Sequence, residues 1–443
     1  MKLPFLKKLR HSIILAFYIS FIFINIFGIK AVASIDNSYF FVMKDMNVPR
    51  NILSDIKINY PQLELNSIDE IGVFTISSSD DNLLEEARSF TVNKYKDVIE
   101  SSCREQKILL EGTEKTLDNS EPEVKEKIGA DNKYEVWRWD IDRVTNNRNT
   151  YNIEQGNHDV KIGIIDSGID AQHPDLKNNI VLSKSCVPGK DNLEDSTGHG
   201  TMVAGEIAAN GNVKGVATKD NMDVINLSLG TYKSLINKDD VALVVAYERA
   251  ILYAQLRNCV VVSASGNEAK GLDITDPLKL AQQLGKKDDL QVYLPGGLSN
   301  VITVSATNRD DKITYYSNYG MQVDIAAPGG DYGPQWETKK VPDLRYMTLV
   351  TIPTEFAQSQ VSSLFEFDKG YEFVEGGTSF AAPKVSAAAA LLIAHFKDKY
   401  GFKPSALQVE QYLYDSTDKC SGENSILYYG NGILNIEKIL KKM

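Results

Sequence analysis

The chain has 443 residues, 43% of them hydrophobic and 24% charged. That is ordinary globular composition, long enough for two domains or for one large domain with attachments, and able to bury a sizeable core. The formal net charge of −11 argues against a nucleic-acid binder, which normally shows a basic face, so no nucleic-acid partner is expected.

Lys7, Lys8 and Arg10 precede an apolar run from Ile13 to about Ile29, followed by Ala31-Val32-Ala33 and polar Ser34. A basic start, an apolar centre and small residues at a cleavage spacing describe an export signal over 1–33. An uncleaved anchor is the competing reading, because the apolar run approaches spanning length. The Ala-x-Ala sequence favours removal, so the mature protein is expected to be secreted and extracellular, with no membrane anchor. The four cysteines, Cys103, Cys186, Cys259 and Cys420, are scattered and read as free or buried thiols rather than a disulfide framework.

Tyr39 to Val42 reads as a strand, Val48 to Tyr60 as an amphipathic helix, Ile71 to Ile76 as a second strand and Asp80 to Ser101 as a longer helix. A small α+β unit is thus expected over 34–111. Residues 112–133 are rich in Glu, Lys, Asp and Asn with few apolar side chains. Such a segment cannot bury enough surface to fold alone and reads as a cleavable linker. From Tyr134 onward, short β-branched runs alternate with helical segments. The runs are Val160–Ile165, Val224–Leu229, Val260–Ser263, Val301–Val304 and Val323–Ala326, with helices over Asp240–Leu256 and Ala381–Phe396. Strands apolar on both faces belong to a mostly parallel sheet covered by helices on both sides, an α/β class.

Functional groups in such sheets sit just past strand carboxyl ends. Asp166 follows Ile162 to Ile165 and precedes Ser167-Gly168, a turn that leaves the sheet. His199 stands between Gly198 and Gly200 at the start of a helix, with room beside the ring for a second group. A histidine so placed, oriented by a carboxylate through its other nitrogen, is what a general base requires. Ser379 lies in Gly376-Gly377-Thr378-Ser379-Phe380-Ala381-Ala382-Pro383; a serine is a weak nucleophile until a base takes its proton. Asn267, after Ser263-Ala264-Ser265-Gly266, is placed to donate to a developing oxyanion together with the Ser379 N–H. Each context alone has a bland reading, an Asx turn or a helix cap. Together and in this order they point to acyl transfer.

Ile165-Asp166-Ser167-Gly168-Ile169-Asp170, Gly198-His199-Gly200-Thr201-Met202-Val203-Ala204-Gly205 and Gly377-Thr378-Ser379-Phe380-Ala381-Ala382-Pro383 resemble the three signature blocks of the subtilisin family. Ser228-Leu229-Gly230 resembles its substrate-binding strand and Ser265-Gly266-Asn267 its oxyanion loop, so Ser228, Leu229, Gly230, Ser263, Ala264, Ser265 and Gly266 are expected to bind substrate. The resemblance spans about Trp139 to Lys438. It implies a subtilisin-like three-layer α/β/α sandwich over 134–443, preceded by a small α+β (ferredoxin-like) propeptide that inhibits the enzyme. It also implies peptide-bond hydrolysis through an acyl-enzyme. Trp139 to Asn147, the long stretch from Gly330 to Gly376 and Pro383-Lys384-Val385-Ser386 resemble the lantibiotic leader-peptide-processing proteases of the nisin and epidermin type. The expected partners are then a lantibiotic precursor leader as substrate and the chain's own propeptide as inhibitor. A general extracellular subtilase and an inactive relic are the alternatives.

Two departures bear on this. Between Gly215-Val216-Ala217 and Asp223 the chain has only Thr218 to Met222, where the family places a strand and a crossover helix; a parallel crossover needs a dozen residues or more. A strand–helix unit is therefore expected to be missing near 218–222. No cofactor is expected for the chemistry. Asp175 matches a family position that contributes to a structural calcium site, but the loop Asn210-Gly211-Asn212 is short, and an aspartate after Pro174 is also an ordinary turn residue.

Overall fold

The computed structural model describes residues 37–104, 109–110, 133–185, 193–208, 222–268 and 270–443. The expected signal segment, Cys186, the loop 210–212, Thr218 to Asn221 of the shortened connection and the linker up to 132 lie outside the described residues.

The first unit runs β1 (Asn37–Met43), α1 (Arg50–Asn59), β2 (Glu64–Ile68), β3 (Val73–Ser78), α2 (Asp81–Lys94) and β4 (Ile99–Arg104). Its strands form an antiparallel sheet in the order β2-β3-β1-β4, the ferredoxin-like βαββαβ arrangement. Side chains alternate across β1. Tyr39, Phe41 and Met43 join Ile52 and Ile56 of α1 and Leu84 and Ala87 of α2 in one core. Phe40 and Val42 point the other way. The helix expected over Asp80–Ser101 is corrected here. Asp80 caps α2 by accepting from the Asn82 and Leu83 N–H groups, as a helix start should, but α2 stops at Lys94 and the chain turns into β4. Phe40 then faces Cys103 across the pair. Hydrogen bonding to the open edge of β1 outweighs a helical reading of the same residues.

After β5 (Leu109–Leu110) the second unit opens with α3 (Trp139–Thr145). Its sheet contains β6 (Ile162–Ile164), β7 (Val224–Leu227), β9 (Val260–Ala264), β11 (Ile302–Thr307) and β12 (Ile325–Pro328), all parallel, in the order β12-β11-β9-β7-β6. Valines and isoleucines on one face (Val224, Val260, Val262, Ile302, Val304) pack on Ala381, Ala382, Val385 and Ala388 of the helix Thr378–Tyr400. On the other face Ile225, Leu227 and Val261 meet Ala242, Leu243, Ala246 and Tyr247 of the helix Lys238–Leu256. These layers make the α/β/α sandwich. Thr378–Tyr400 is apolar enough to cross a membrane by composition, but 94% of that window is buried inside the protein. It is the core helix.

β6 and β7 pair directly, Ile162 opposite Val224 and Ile164 opposite Asn226. Asp166 therefore ends up beside Ser228, whatever the shortened connection between them does. The run expected as one strand over Val224–Leu229 is two strands: the chain bends at Ser228 and continues as β8 (Leu229–Ser234). β8 pairs antiparallel with β10 (Gln291–Leu294) on one edge and with β5 on the other, Leu109 opposite Gly230 and Leu110 opposite Leu229. Cys103, Cys259 and Cys420 are free thiols.

Candidate active site

Asp166 is the second residue past β6, and its carboxylate is anchored by the Ser167 N–H at 2.8 Å. Asp166 Oδ1 lies 2.7 Å from His199 Nδ1, and both side chains are almost wholly buried. With Nδ1 engaged by a carboxylate, proton exchange on this ring falls to Nε2. His199 opens the helix His199–Ala208. Its approach to Asp166 depends on glycine: a Cβ at Gly200 would lie 2.1 Å from the Gly168 carbonyl oxygen and 3.2 Å from Asp166 Cβ.

The sequence reading missed the residue that holds this helix start. Asp195, buried, accepts from the Gly198 N–H (2.9 Å), the Thr201 N–H (2.7 Å), the Thr201 hydroxyl (2.7 Å) and the Ser167 hydroxyl (2.6 Å). Ser167 Oγ in turn accepts from the Gly200 N–H at 3.0 Å. Asp195 and Ser167 thereby share the free N–H groups at the start of the helix that carries His199 and tie it to the turn that carries Asp166. An aspartate a few residues before a helical run is the usual signal for a cap, and Asp195-Ser196-Thr197-Gly198 carried it.

Ser379 is the second residue of Thr378–Tyr400. Pro383, four residues on, has no N–H, so the Ser379 carbonyl lacks its helical donor. The Ser228 hydroxyl supplies one at 2.8 Å. Behind it, Asn226 Nδ2 donates to Ser228 Oγ (2.9 Å) and the Ser386 hydroxyl donates to Asn226 Oδ1 (2.8 Å), all fully buried. Ser379 Oγ itself lies 3.4 Å from the Ser228 carbonyl oxygen. The His199 ring packs against Phe380, the next residue, with centroids 6.1 Å apart. Asn267 Oδ1 accepts from the Thr378 N–H (2.8 Å) and the Thr378 hydroxyl (2.9 Å). Those bonds fix the amide and turn Nδ2 toward the nucleophile's loop, where a Cβ at Gly377 would lie 3.4 Å from it. The structure thus brings Asp166, His199, Ser379 and Asn267 to one place.

The other residues singled out divide in two. Ser228 lies between β7 and β8, and Leu229 and Gly230 begin β8, where a Cβ at Gly230 would collide with Tyr293. Ser263 and Ala264 lie inside β9 and are fully buried. Ser265 donates its hydroxyl to the Asn318 carbonyl (3.1 Å), and the Gly266 N–H donates to Thr378 Oγ1 (3.2 Å). These four support the loop of Asn267 from behind. Asp175 accepts from the Tyr371 hydroxyl at 2.8 Å, and among the described residues no cluster of carboxylates, histidines or cysteines is suited to hold a metal.

Arranged this way, the groups can deprotonate a serine and stabilise an oxyanion. The subtilase family profile matches residues 157–219 and 217–432. The chain is 32% identical over 365 residues to the epidermin leader peptide-processing serine protease EpiP of Staphylococcus epidermidis, covering 69% of this chain and 74% of that protein. It is 30% identical over 369 residues to the nisin leader peptide-processing serine protease NisP of Lactococcus lactis subsp. lactis, covering 70% of this chain and 50% of that longer protein. The crystal structure of EpiP from Staphylococcus aureus superposes with a TM-score of 0.70 over 92% of this chain and 98% of its own, at 24% identity, a likeness of fold alone. The chain is a serine protease of the subtilisin type and belongs to the subtilase family.

Proposed function

We propose that this chain is a secreted, self-inhibited serine endopeptidase that removes the leader peptide from a lantibiotic precursor. The observation that carries the chemistry is the 2.7 Å Asp166–His199 contact in the same site as Ser379 and Asn267. In the proposed reaction Ser379 Oγ attacks the scissile carbonyl carbon while His199 Nε2 takes the hydroxyl proton, and Asp166 stabilises the imidazolium. The oxyanion is held by Asn267 Nδ2 and the Ser379 N–H. Collapse breaks the C–N bond, and His199 returns the proton to the leaving amine. Water then attacks the acyl-enzyme by the same route in reverse, releasing the carboxylic acid and regenerating the Ser379 hydroxyl.

The substrate class is supported by the two leader-processing relatives. Self-inhibition is supported by the seat of the first unit. Its sheet packs on the helix Lys238–Leu256, where Arg249 donates to the Met43 carbonyl (2.8 Å) and the Ile71 carbonyl (3.2 Å) and pairs with Glu100 (2.8 Å). β5 lies along Leu229 and Gly230, on the strand that an extended peptide is expected to use. The relic reading rests on the shortened connection, and the family profile is indeed split at 217–219. Against it, β6 and β7 pair without the missing unit.

Purified mature protein incubated with a panel of lantibiotic precursors and with casein tests the reading. One preferred cut at the end of a leader is expected. Broad casein degradation with no preferred leader cut would assign a general extracellular subtilase instead. Failure of a fluorophosphonate to label Ser379 in folded protein would establish the relic.

A further inference from the structure

Trp139–Asn147 and Pro383–Ser386, two of the three segments that carry the narrower resemblance, lie far apart in the chain and meet at one buried charge. The side chain of Lys384 is fully buried, with Nζ 2.8 Å from Asp140 Oδ2 and 2.7 Å from Glu206 Oε2. The same ammonium donates to the Phe380 carbonyl at 3.0 Å. Asp140 comes from α3. Glu206 lies seven residues after His199 on one helix, so both sit on the same face about 10 Å apart along the axis. Lys384 lies five residues after Ser379 on the other. The cluster therefore bridges the interface between the helix of the base and the helix of the nucleophile, one to two turns behind the reacting groups.

Burying such ions costs several kcal/mol per group, and apolar residues of similar volume often stabilise a protein as well or better. What a charge cluster provides is a defined geometry. Geometry is needed here because the first turn of the nucleophile helix is short of its own hydrogen bonds. Pro383 leaves the Ser379 carbonyl to Ser228, and the adjacent Phe380 carbonyl takes Lys384 Nζ. That turn is held by one side chain from outside the helix, Ser228, and one from the helix's own next turn, Lys384.

We propose, resting on the protease reading above, that Lys384 is a positioning residue. It sets the nucleophile's turn against the imidazole, and through Asp140 it makes that alignment depend on the docking of α3, the first helix after the linker.

The single variant Lys384→Met leaves two carboxylates facing each other without a partner and is expected to unfold, so it decides little. The test uses the triple variant Lys384→Met/Asp140→Asn/Glu206→Gln, which removes the three charges of the cluster together, and the mild variant Asp140→Asn. Thermal unfolding is measured beside kcat, KM and the fluorophosphonate labelling rate of Ser379. A displacement of about 1 Å costs on the order of 10²-fold in rate. We therefore expect the triple variant to melt near the wild type, with labelling and kcat down roughly ten- to a hundredfold and KM within about twofold. Asp140→Asn should show a smaller loss of the same kind. A triple variant that is folded and labels at the wild-type rate would overturn the proposal. Wild-type protein that labels but leaves leader peptides uncut would refute only the substrate reading, because labelling needs no peptide; wild-type protein that does not label would overturn both.

Discussion

Replacing Asn267 by aspartate separates two jobs that one side chain performs. Its Oδ1 holds the Thr378 N–H at 2.8 Å and the Thr378 hydroxyl at 2.9 Å, and Thr378 is fully buried. Asparagine to alanine would leave that N–H unsatisfied, at about 1–3 kcal/mol of stability, and would confuse a structural loss with a chemical one. Aspartate keeps the acceptor and the shape but turns the donor aimed at the oxyanion into a second acceptor. Loss of one such donor costs about 10²–10³ in kcat, or roughly 2.7–4 kcal/mol of transition-state stabilisation. Asn267→Asp is therefore expected to lose at least that factor in kcat on a peptide ester, with KM and the unfolding midpoint close to wild type. Steady-state kinetics at several substrate concentrations, beside a urea melt, give all three numbers. A kcat within tenfold of wild type in folded protein would refute the assignment of Asn267.

Ser379→Ala should leave the precursor uncut when no other protease is present. In the active protein, the pairing of Leu110 with Leu229, one residue from the Ser228 carbonyl that faces Ser379, predicts the bond Glu111–Gly112 as the site of self-cleavage. N-terminal sequencing beginning well inside 112–133 would contradict this. Asp195→Ala removes an acceptor of four short hydrogen bonds and is expected to cost about 2–3 kcal/mol, measured by urea unfolding on the Ser379→Ala background to prevent self-digestion. Unchanged stability would deny it the capping role. Burial pushes the Asp324 carboxyl up to about 7, with the charge of Glu410 adding to the rise and the Thr303 N–H opposing it. The folded state thus holds a proton that the unfolded chain has released above about pH 4. Its contribution to stability is full below that pH and is lost as pH rises toward 7, by at most about 1.4 kcal/mol per unit. Asp324→Asn should flatten urea midpoints measured across this window, though not completely, because burial raises Glu410 in the same direction. An unaltered slope would contradict the assignment.

Features that a short stretch of chain can encode were readable before folding was considered. Asp166 after a β-branched run, His199 between two glycines and Ser379 behind Gly376-Gly377 each carry their backbone requirement with them, so the site's members and the α/β class were legible. The five parallel strands lie within a few residues of their expected places, because a run buried on both faces leaves a continuous apolar signature. Tertiary structure decided whatever depends on a partner distant in the chain. β4 is a strand because the edge of β1 needed pairing, although its first residues, Ile99 to Ser101, also read as helix. Ser228 stands between two strands, where its hydroxyl serves a carbonyl that Pro383, 155 residues later by sequence number, leaves without a donor. No short-range pattern in the sequence links Lys384, Asp140 and Glu206. Only the packing of three helices takes them out of water, and in that setting each charge is stable only because the others are there.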